Sequence, residues 1–595
     1  MCSFSTTRHG RGLCIIVLAC LYLSPPFAVA AGASTTNRKD SGTKKSRLPN
    51  ILLLLTDDQD ALVGGMSHMP KLERLLKQRG VTFENGFVHT PICCPSRSSI
   101  VSGRYLHNGG ALNNTVEGNC NGPYWQEDAE QNSFATVLQS LGYQTSYAGK
   151  YLNMYGIPGS PGCQRYKNGT RSPGCSRVPP GWNRWLGLIG NSQYYNYGVV
   201  KSTRSGATTG ETIRHGHDYP SDYFPDLVAN WTLESIQEFV KTPDKPFLAV
   251  AAWPTAHMPF TPAPWSEHEY DGLEVIKTPN YNASTENQQS KHWMMRWLAP
   301  IDASTEEWMN QVYQNRTEAL LSVDNHIELF VQALQNAGVY DNTWIIYTSD
   351  NGWQLGQHRL SYDKRQLYEN DIRVPFIVTG PGVPANKTSS HIVLNVDIAP
   401  TMADMALKAM KNGEMKSAVI EQVRDAVDNM DGTSFLPVIL DSGAAKQDDP
   451  WRQDFLVSYH GRGYAQCDNF WGCPAPKQGD PDYHMGDWSN NTYHCVRTIA
   501  ASGSSQAHLQ EEENSIYCRF LDDENFVEYY DLMTDPWELN NAASSLTVEQ
   551  KIRYERRLEE LRICRGKTCR DASSGTHAFA TTTTASVDVE IGVSD

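Results

Sequence analysis

Hydrophobic residues along this chain gather in short unbroken runs that end abruptly in polar side chains. The first is Asn50-Ile-Leu-Leu-Leu-Leu-Thr-Asp-Asp-Gln59, an apolar run without alternation, closed by two carboxylates. Such a run suits a strand buried on both faces, as in a parallel sheet covered by helices on each side. Pro246-Phe-Leu-Ala-Val-Ala-Ala-Trp-Pro-Thr-Ala-His257 repeats the pattern and ends at a histidine. Thr343-Trp-Ile-Ile-Tyr-Thr-Ser-Asp-Asn-Gly352 ends at Asp350 and Asn351, and Pro375-Phe-Ile-Val-Thr-Gly-Pro381 is a further run. Helical segments are predicted between them, over 69–79, 133–141, 223–240 and 305–337. Strands alternating with helices predict an α/β sandwich, in which ligands gather at the carboxyl ends of the strands. Asp57 and Asp58 fall at such an end. Residues 401–428 are charged and helix-prone, and read as a surface insertion. From about Trp451 short apolar segments alternate with turns, at 454–459 and 527–532. This region is expected to be a smaller C-terminal α+β domain with an antiparallel sheet, ending in a helix over 548–563.

Composition fixes the address more than the chemistry. A chain of 595 residues has room for one large domain and a smaller one. Forty per cent apolar content with 10% aromatic residues excludes global disorder. The net charge of -15 argues against nucleic-acid binding through general electrostatics, so an anion site here needs locally concentrated positive charge. Residues 1–30 read as a secretory signal: Arg8, His9 and Arg11 precede the apolar run 13–23, and Ala28-Val-Ala30 offers a cleavage site. That run is too short to span a bilayer, and the Thr-rich tail from 578 is not a lipid-anchor signal, so no membrane anchor is expected. Sequons at Asn113, Asn168, Asn230, Asn282, Asn315, Asn386 and Asn490 fit a glycoprotein of the secretory pathway, extracellular or lysosomal. The expected plan is signal 1–30, flexible leader 31–48, catalytic domain 49–450, C-terminal subdomain 451–565 and disordered tail 566–595. Of 14 cysteines, Cys2, Cys14 and Cys20 leave with the signal. The remainder is odd, and Cys93 is the natural unpaired candidate because of its setting. The closely spaced pairs Cys163/Cys175, Cys467/Cys473, Cys495/Cys518 and Cys564/Cys569 are candidate local disulfides.

That setting is Thr90-Pro-Ile-Cys-Cys-Pro-Ser-Arg-Ser-Ser-Ile-Val-Ser-Gly-Arg104. Pro95 suits the first position of a helix, and Gly103 can stop the same helix about two turns later. Cys93 is then expected just ahead of a helix N-terminus, where unpaired N–H groups and the helix dipole favour an anion. Arg97, Ser96 and Ser98 add donors, which points to chemistry on a charged oxyanion. Asp57, Asp58, Asp350 and Asn351 form an all-oxygen set suited to Ca²⁺ or Mg²⁺. The same residues also make ordinary turns. Their shared placement at the ends of buried strands favours the metal. His257, Lys150 and Lys364 read individually as a structural histidine and ordinary lysines, and composition alone does not bring them together. Trp182, Trp185, Tyr194, Tyr195 and Tyr197 have faces able to stack on sugars, with core packing the plainer reading.

A family resemblance joins these pieces. Cys93-Cys94-Pro95-Ser96-Arg97 matches the Cys-x-Pro-Ser-Arg signature of type I sulfatases, and Ser102-Gly-Arg-Tyr105 resembles its continuation. Asp57-Asp58-Gln59, Gly149-Lys-Tyr-Leu-Asn153 and Ser349-Asp-Asn-Gly352 match the surrounding sulfatase blocks. Asn113-Asn-Thr-Val-Glu-Gly-Asn-Cys120, Asp363-Lys-Arg-Gln-Leu-Tyr368 and Tyr530-Asp-Leu-Met-Thr-Asp-Pro-Trp537 look most like the N-acetylglucosamine-6-sulfatase branch. The resemblance runs from about residue 48 to 565. It implies an alkaline-phosphatase-like sandwich with a large mixed, mostly parallel sheet. It implies that Cys93, and not Cys94, is converted to formylglycine by the formylglycine-generating enzyme. It further implies a divalent cation on Asp57, Asp58, Asp350, Asn351 and the modified Cys93, with Arg97, Lys150, His257 and Lys364 around the sulfate. Many arylsulfatases carry a histidine two residues after the Lys150 position; this chain has Leu152, as the glucosamine branch does, and Asn153 is a candidate contact. The expected activity is hydrolysis of a sulfuric ester on a sulfated sugar. A secreted arylsulfatase or sulfate scavenger is the nearest alternative, followed by a phosphate-ester hydrolase and an inactive glycan-binding protein.

Overall fold

The computed structural model describes residues 48–163, 173–410, 416–440, 451–461, 491–500 and 513–573. The signal, the leader, most of the tail, Asn168, Asn490 and the Cys467/Cys473 pair lie outside the described residues. In chain order the strands are β1 (Asn50–Thr56), β2 (Val81–Phe83), β3 (Gly86–Phe87), β4 (Gln144–Gly149), β5 (Arg184–Leu188), β6 (Gly198–Ser202), β7 (Glu211–Arg214) and β8 (Phe247–Ala252). They continue with β9 (Thr343–Ser349), β10 (Phe376–Thr379), β11 (Lys387–Ser389), β12 (Val393–Leu394), β13 (Asp454–Tyr459), β14 (Tyr493–Ala500), β15 (Glu513–Phe520) and β16 (Val527–Asp531).

Ten strands form one sheet in the order β11-β2-β10-β9-β1-β8-β4-β5-β6-β7. The centre is parallel: β1 pairs with β8 and β9, and β4 pairs with β8 and β5. Antiparallel pairings appear toward the flanks, between β9 and β10 and along β5-β6-β7. Every residue of β1, β8 and β9 is buried, as unbroken apolar runs require. Alternation within β1 sends Ile51, Leu53 and Leu55 into one core cluster and Leu52 and Leu54 into another. The second cluster lies under helices Phe224–Phe239 and Ala303–Asn336. The first takes Phe134–Ser140 and Ile398–Ala409. The expected helices therefore form, with 69–79 split into Pro70–Leu75 and a 3-10 turn at Lys77–Arg79.

Residues Lys567–Ser573, within the expected disordered tail, form a helix, and the reading of 401–428 as a surface insertion also fails. Helix Ile398–Ala409 is not a surface insertion: Ile398, Ala399, Met402, Ala403, Met405 and Ala406 are buried in the core. Only the following helix, Ser417–Asp428, lies outside, with Val423 its single buried residue.

The C-terminal strands form a separate antiparallel sheet, β13-β14-β15-β16. Its inner residues share one apolar cluster with Phe87, Ile92 and Tyr368 and with Leu558 and Leu561 of helix Val548–Ile563. Disulfides join Cys163–Cys175, Cys495–Cys518 and Cys564–Cys569, and a fourth, Cys94–Cys120, pairs residues the spacing did not suggest. Among the described residues Cys93 is the free cysteine, and it is buried. No helix among them is long and apolar enough to cross a membrane.

Candidate active site

Parallel register brings the site together. Thr56 is level with Ser349, and Gly149 with Ala252, so the residues that follow β1, β4, β8 and β9 emerge at one edge of the sheet. Asp57 N–H donates to Thr255 C=O at 2.8 Å and Ala256 N–H to Asp57 C=O at 2.6 Å, tying the His257 segment to β1. Gly149, at φ +121°, lets Lys150 turn in: a Cβ there would lie 1.8 Å from the Ala252 carbonyl oxygen.

Asp57, Asp58 and Asp350 each present a carboxylate oxygen within 4.8 Å of the other two. Asn351 Nδ2 donates to Asp58 Oδ1 at 2.7 Å, while Asn351 Oδ1 is buried without a hydrogen-bond partner. Three buried carboxylates beside an unsatisfied amide oxygen fit a hard divalent cation. Burial first, and then the charges of Asp57 and Asp58, push Asp350 up to about 7 against the pull of Arg97 and Lys150. Burial also works against Asp57, but Lys150, His257 and Arg97 hold it well below the usual carboxylate range.

Cys93 is the first residue of helix Cys93–Ser102, so the helix starts earlier than expected and Pro95 is its third residue. Ile92 C=O already accepts the Ser96 N–H at 3.0 Å, and Pro95 has no N–H to leave unpaired in that first turn. Gly103 ends the helix at φ 68°, as its sequence position predicts. Cys93 Sγ lies 3.8 Å from Asp57 Oδ1. Burial pushes its thiol up to about 11, so it stays protonated and is a poor sulfur nucleophile near neutrality.

Three cations surround this point. Arg97 Nε donates to Asp350 Oδ2 at 2.7 Å and Nη1 to Lys150 C=O at 2.8 Å, leaving Nη2 without a hydrogen-bond partner. Lys150 Nζ donates to Asp57 Oδ2 at 2.7 Å, and Lys364 Nζ to Asp58 Oδ2 at 2.6 Å. His257 Nδ1 lies 2.7 Å from Met258 C=O, so that nitrogen carries its hydrogen and Nε2 faces Asp58 Oδ2 at 3.8 Å. Burial lowers His257 to about 4, with Lys364 and Lys150 adding to the effect and Asp58 opposing it. Its side chain is 14% exposed, against 3% or less for the three cations, so the histidine faces the opening.

The structure thus gathers Asp57, Asp58, Cys93, Arg97, Lys150, His257, Asp350, Asn351 and Lys364. Three carboxylates face three cations; a bound divalent ion would leave the cluster net positive, a local anion trap in an acidic protein. The sulfatase family profile matches residues 49–408, and the profile of the N-sulphoglucosamine sulphohydrolase C-terminal region matches 356–472. The chain belongs to the sulfatase family. It is 39% identical to N-acetylglucosamine-6-sulfatase of Capra hircus over 533 residues, 89% of this chain and 86% of that protein. Identity to the Homo sapiens N-acetylglucosamine-6-sulfatase is 38% over 550 residues, 91% of this chain and 87% of the relative. Among solved structures, BT4656 in complex with D-glucosamine-2-N,6-O-disulfate superposes with a TM-score of 0.59 at 20% identity, covering 89% of this chain and 99% of that one.

As a sulfatase it carries one site residue that sequence reasoning missed. Ser192 Oγ donates to Asp57 Oδ2 at 2.5 Å. It belongs to no motif, and only the position of its loop after β5, beside β4, hints at it. Leu152 packs in the core, and Asn153 is buried with Oδ1 unpartnered. Trp182, Trp185, Tyr194 and Tyr197 are buried packing residues, and Tyr194 OH donates to His257 C=O at 3.0 Å.

Proposed function

We propose that this sulfatase removes the 6-O-sulfate from N-acetylglucosamine units of glycosaminoglycans or related glycans. The observation that carries the substrate is the 38–39% identity to N-acetylglucosamine-6-sulfatases over nearly the whole of both chains. Cys93 is read as the precursor of formylglycine, made by the formylglycine-generating enzyme. A buried thiol pushed up to about 11 is a poor thiolate, which favours a precursor role over direct attack by sulfur. The hydrated aldehyde supplies an oxygen nucleophile and, by re-forming, a route for sulfate to leave. Asp57, Asp58, Asp350 and Asn351 would hold Ca²⁺ or Mg²⁺, which when bound supplies Lewis acidity and a template for a sulfate oxygen.

The chain's own residues do the rest. Arg97 offers Nη2, which makes no hydrogen bond in the protein and lies 3.6 Å from Asp57 Oδ1, to a sulfate oxygen. Lys150 is anchored on Asp57 and Lys364 on Asp58, with Asp363 3.6 Å away, so they spread positive charge over the developing oxyanion without leaving the site. His257, at the opening, carries its hydrogen on Nδ1, so its free Nε2 is positioned to take up the proton that the attacking hydroxyl releases and to pass it to the departing alcohol. The protein is read as a secretory-pathway glycoprotein, extracellular or lysosomal. The test is a side-by-side assay on glucosamine 6-sulfate, an aryl sulfate and a phosphate ester, with mass spectrometry of the peptide bearing Cys93. The sugar sulfate should be preferred and the peptide should show the aldehyde mass deficit. Preference for the aryl sulfate would overturn the substrate; an intact thiol in active enzyme would overturn the nucleophile.

A further inference from the structure

We propose that Asn491 and Tyr493, at the entry to β14 of the C-terminal sheet, are positioning residues that hold Lys364 in the active site through the Arg365 carbonyl. The proposal rests on the reading of Lys364 as a sulfate-binding cation.

The loop carrying Lys364 has an unfavourable backbone. Asp363 and Arg365, its two neighbours, have φ of 103° and 91°, a region that residues with a Cβ avoid. Such conformations persist only where the surroundings over-determine them, and they cluster at functional sites. Here the determinants can be named. Gln354 N–H donates to Asp363 C=O at 2.9 Å, and Asp371 Oδ2 accepts the Gln366 N–H at 2.6 Å. Both anchors belong to the large domain: Gly352 N–H donates to Asp371 C=O at 2.8 Å, just past the carboxylate turn.

The peptide between Arg365 and Gln366 has a third anchor from elsewhere in the chain. Its carbonyl accepts hydrogen bonds from Asn491 Nδ2 and from Tyr493 OH, each at 3.2 Å. Both donors are fully buried, so neither has water as an alternative partner. Fixing that carbonyl fixes the plane of the peptide one residue beyond Lys364. The direction of the Lys364 side chain toward Asp58 Oδ2, 2.6 Å away, depends on that plane. Without the clamp, the two strained residues can relax toward ordinary φ values and carry Lys364 off its line. The C-terminal sheet then serves catalysis, beyond closing the core.

The experiment is a double-mutant cycle on the full secreted enzyme, using Tyr493→Phe, Asn491→Ala, their combination, and each in a Lys364→Ala background. Tyr493→Phe and Asn491→Ala should each lower kcat by about tenfold, the scale of one lost buried hydrogen bond, with KM and melting temperature little changed. In the Lys364→Ala background the same substitutions should cost nothing further, because the group they position is gone. An equal loss in both backgrounds means a merely structural role and overturns the clamp, as does wild-type kcat in the Tyr493→Phe/Asn491→Ala pair. Wild-type activity in Lys364→Ala itself would overturn the reading of Lys364, a result distinct from failure of the clamp.

Discussion

Gly149→Ala tests whether the sheet edge aims Lys150. Gly149 closes β4 at φ +121°, and an added Cβ would sit 1.8 Å from the Ala252 carbonyl oxygen and 2.6 Å from its carbon. Both atoms are backbone of the adjacent strand β8, so no side chain can rotate away. Three costs combine. The positive φ is worth about 1–2 kcal/mol to a residue with a Cβ. Forcing apart a packed core costs about 1–3 kcal/mol. Losing the Lys150 N–H bond to Ala252 C=O, 2.9 Å in the native protein, costs about 1–3 kcal/mol because both groups are buried. The expected destabilisation is therefore about 3–8 kcal/mol, read as a clear fall in melting temperature. Lys150 follows Gly149 directly, and an ångström of displacement is enough to lower kcat by about a hundredfold. Gly142→Ala is the control: Gly142 has φ +88° but nothing within 4 Å of an added Cβ, so it carries only the conformational cost. The assays are differential scanning fluorimetry and initial rates on glucosamine 6-sulfate. Equal melting temperatures and equal kcat for Gly149→Ala and Gly142→Ala would refute the argument.

Millimolar Ca²⁺ or Mg²⁺ added to chelator-treated enzyme should raise the melting temperature, by about 4 kcal/mol of stability at a thousand times Kd, and Asn351→Leu should abolish the rise; an unchanged response in that variant removes Asn351 from the metal site. Acid should destabilise the fold through histidines buried as neutral rings: burial lowers both His89 and His494 from 6.5 to about 3. Since only the unfolded chain binds these protons, the stability is complete above about 6.5 and drains as pH falls toward 3, by about 2 kcal/mol per histidine at pH 5. His494→Gln should flatten the melting temperature's dependence on pH between 7 and 5, and an unchanged slope would contradict this. Glycan mapping should find Asn230 and Asn386, which are exposed, occupied, and Asn113 and Asn282 bare. Asn113 Oδ1 is committed to Thr115, and the Asn282 amide holds both backbone groups of Ile301.

What the sequence made legible follows from burial. A strand covered on both faces must be apolar throughout, so β1, β8 and β9 stand out, and the polar residues that end them mark the sheet edge where Asp57, His257 and Asp350 meet. Less visible were features that depend on partners distant in the chain. Residues 401–428 look charged as a block, yet the apolar positions of Ile398–Ala409 recur as 398, 402, 405 and 406 on one helical face, and most of the charge lies beyond Ala409 in the sequence. The Cys94–Cys120 bridge, at a separation of 26 against 23 for Cys495–Cys518, is not distinguished by spacing and shows only once the fold brings the two together. Ser192 carries no motif, since a hydroxyl that orients a carboxylate needs only to be near it.

The three cations of the site should separate when each is removed, because they are held differently. Arg97 is a structural joint as well as a charge: it links Asp350 to the Lys150 carbonyl through Nε and Nη1. Lys150 and Lys364 each hydrogen-bond one carboxylate, with Asp363 a further 3.6 Å neighbour of Lys364, and Asp57 keeps Ser192 when Lys150 is gone, while Asp58 keeps Asn351 when Lys364 is gone. Arg97→Lys loses the fork, leaving Asp350 Oδ2 without its donor while Oδ1 keeps only the Asp58 N–H at 3.1 Å, and breaking such a buried pair costs about 3–5 kcal/mol of stability. Lys150→Ala and Lys364→Ala should leave the melting temperature within a few degrees of native while lowering kcat by about a hundredfold or more, the scale of a removed oxyanion donor. Melting temperature and kcat measured on all three variants check the division. Equal thermal losses across them would mean that the site is one indivisible charge network, and the separate assignment of a joint and two substrate-facing lysines would fall.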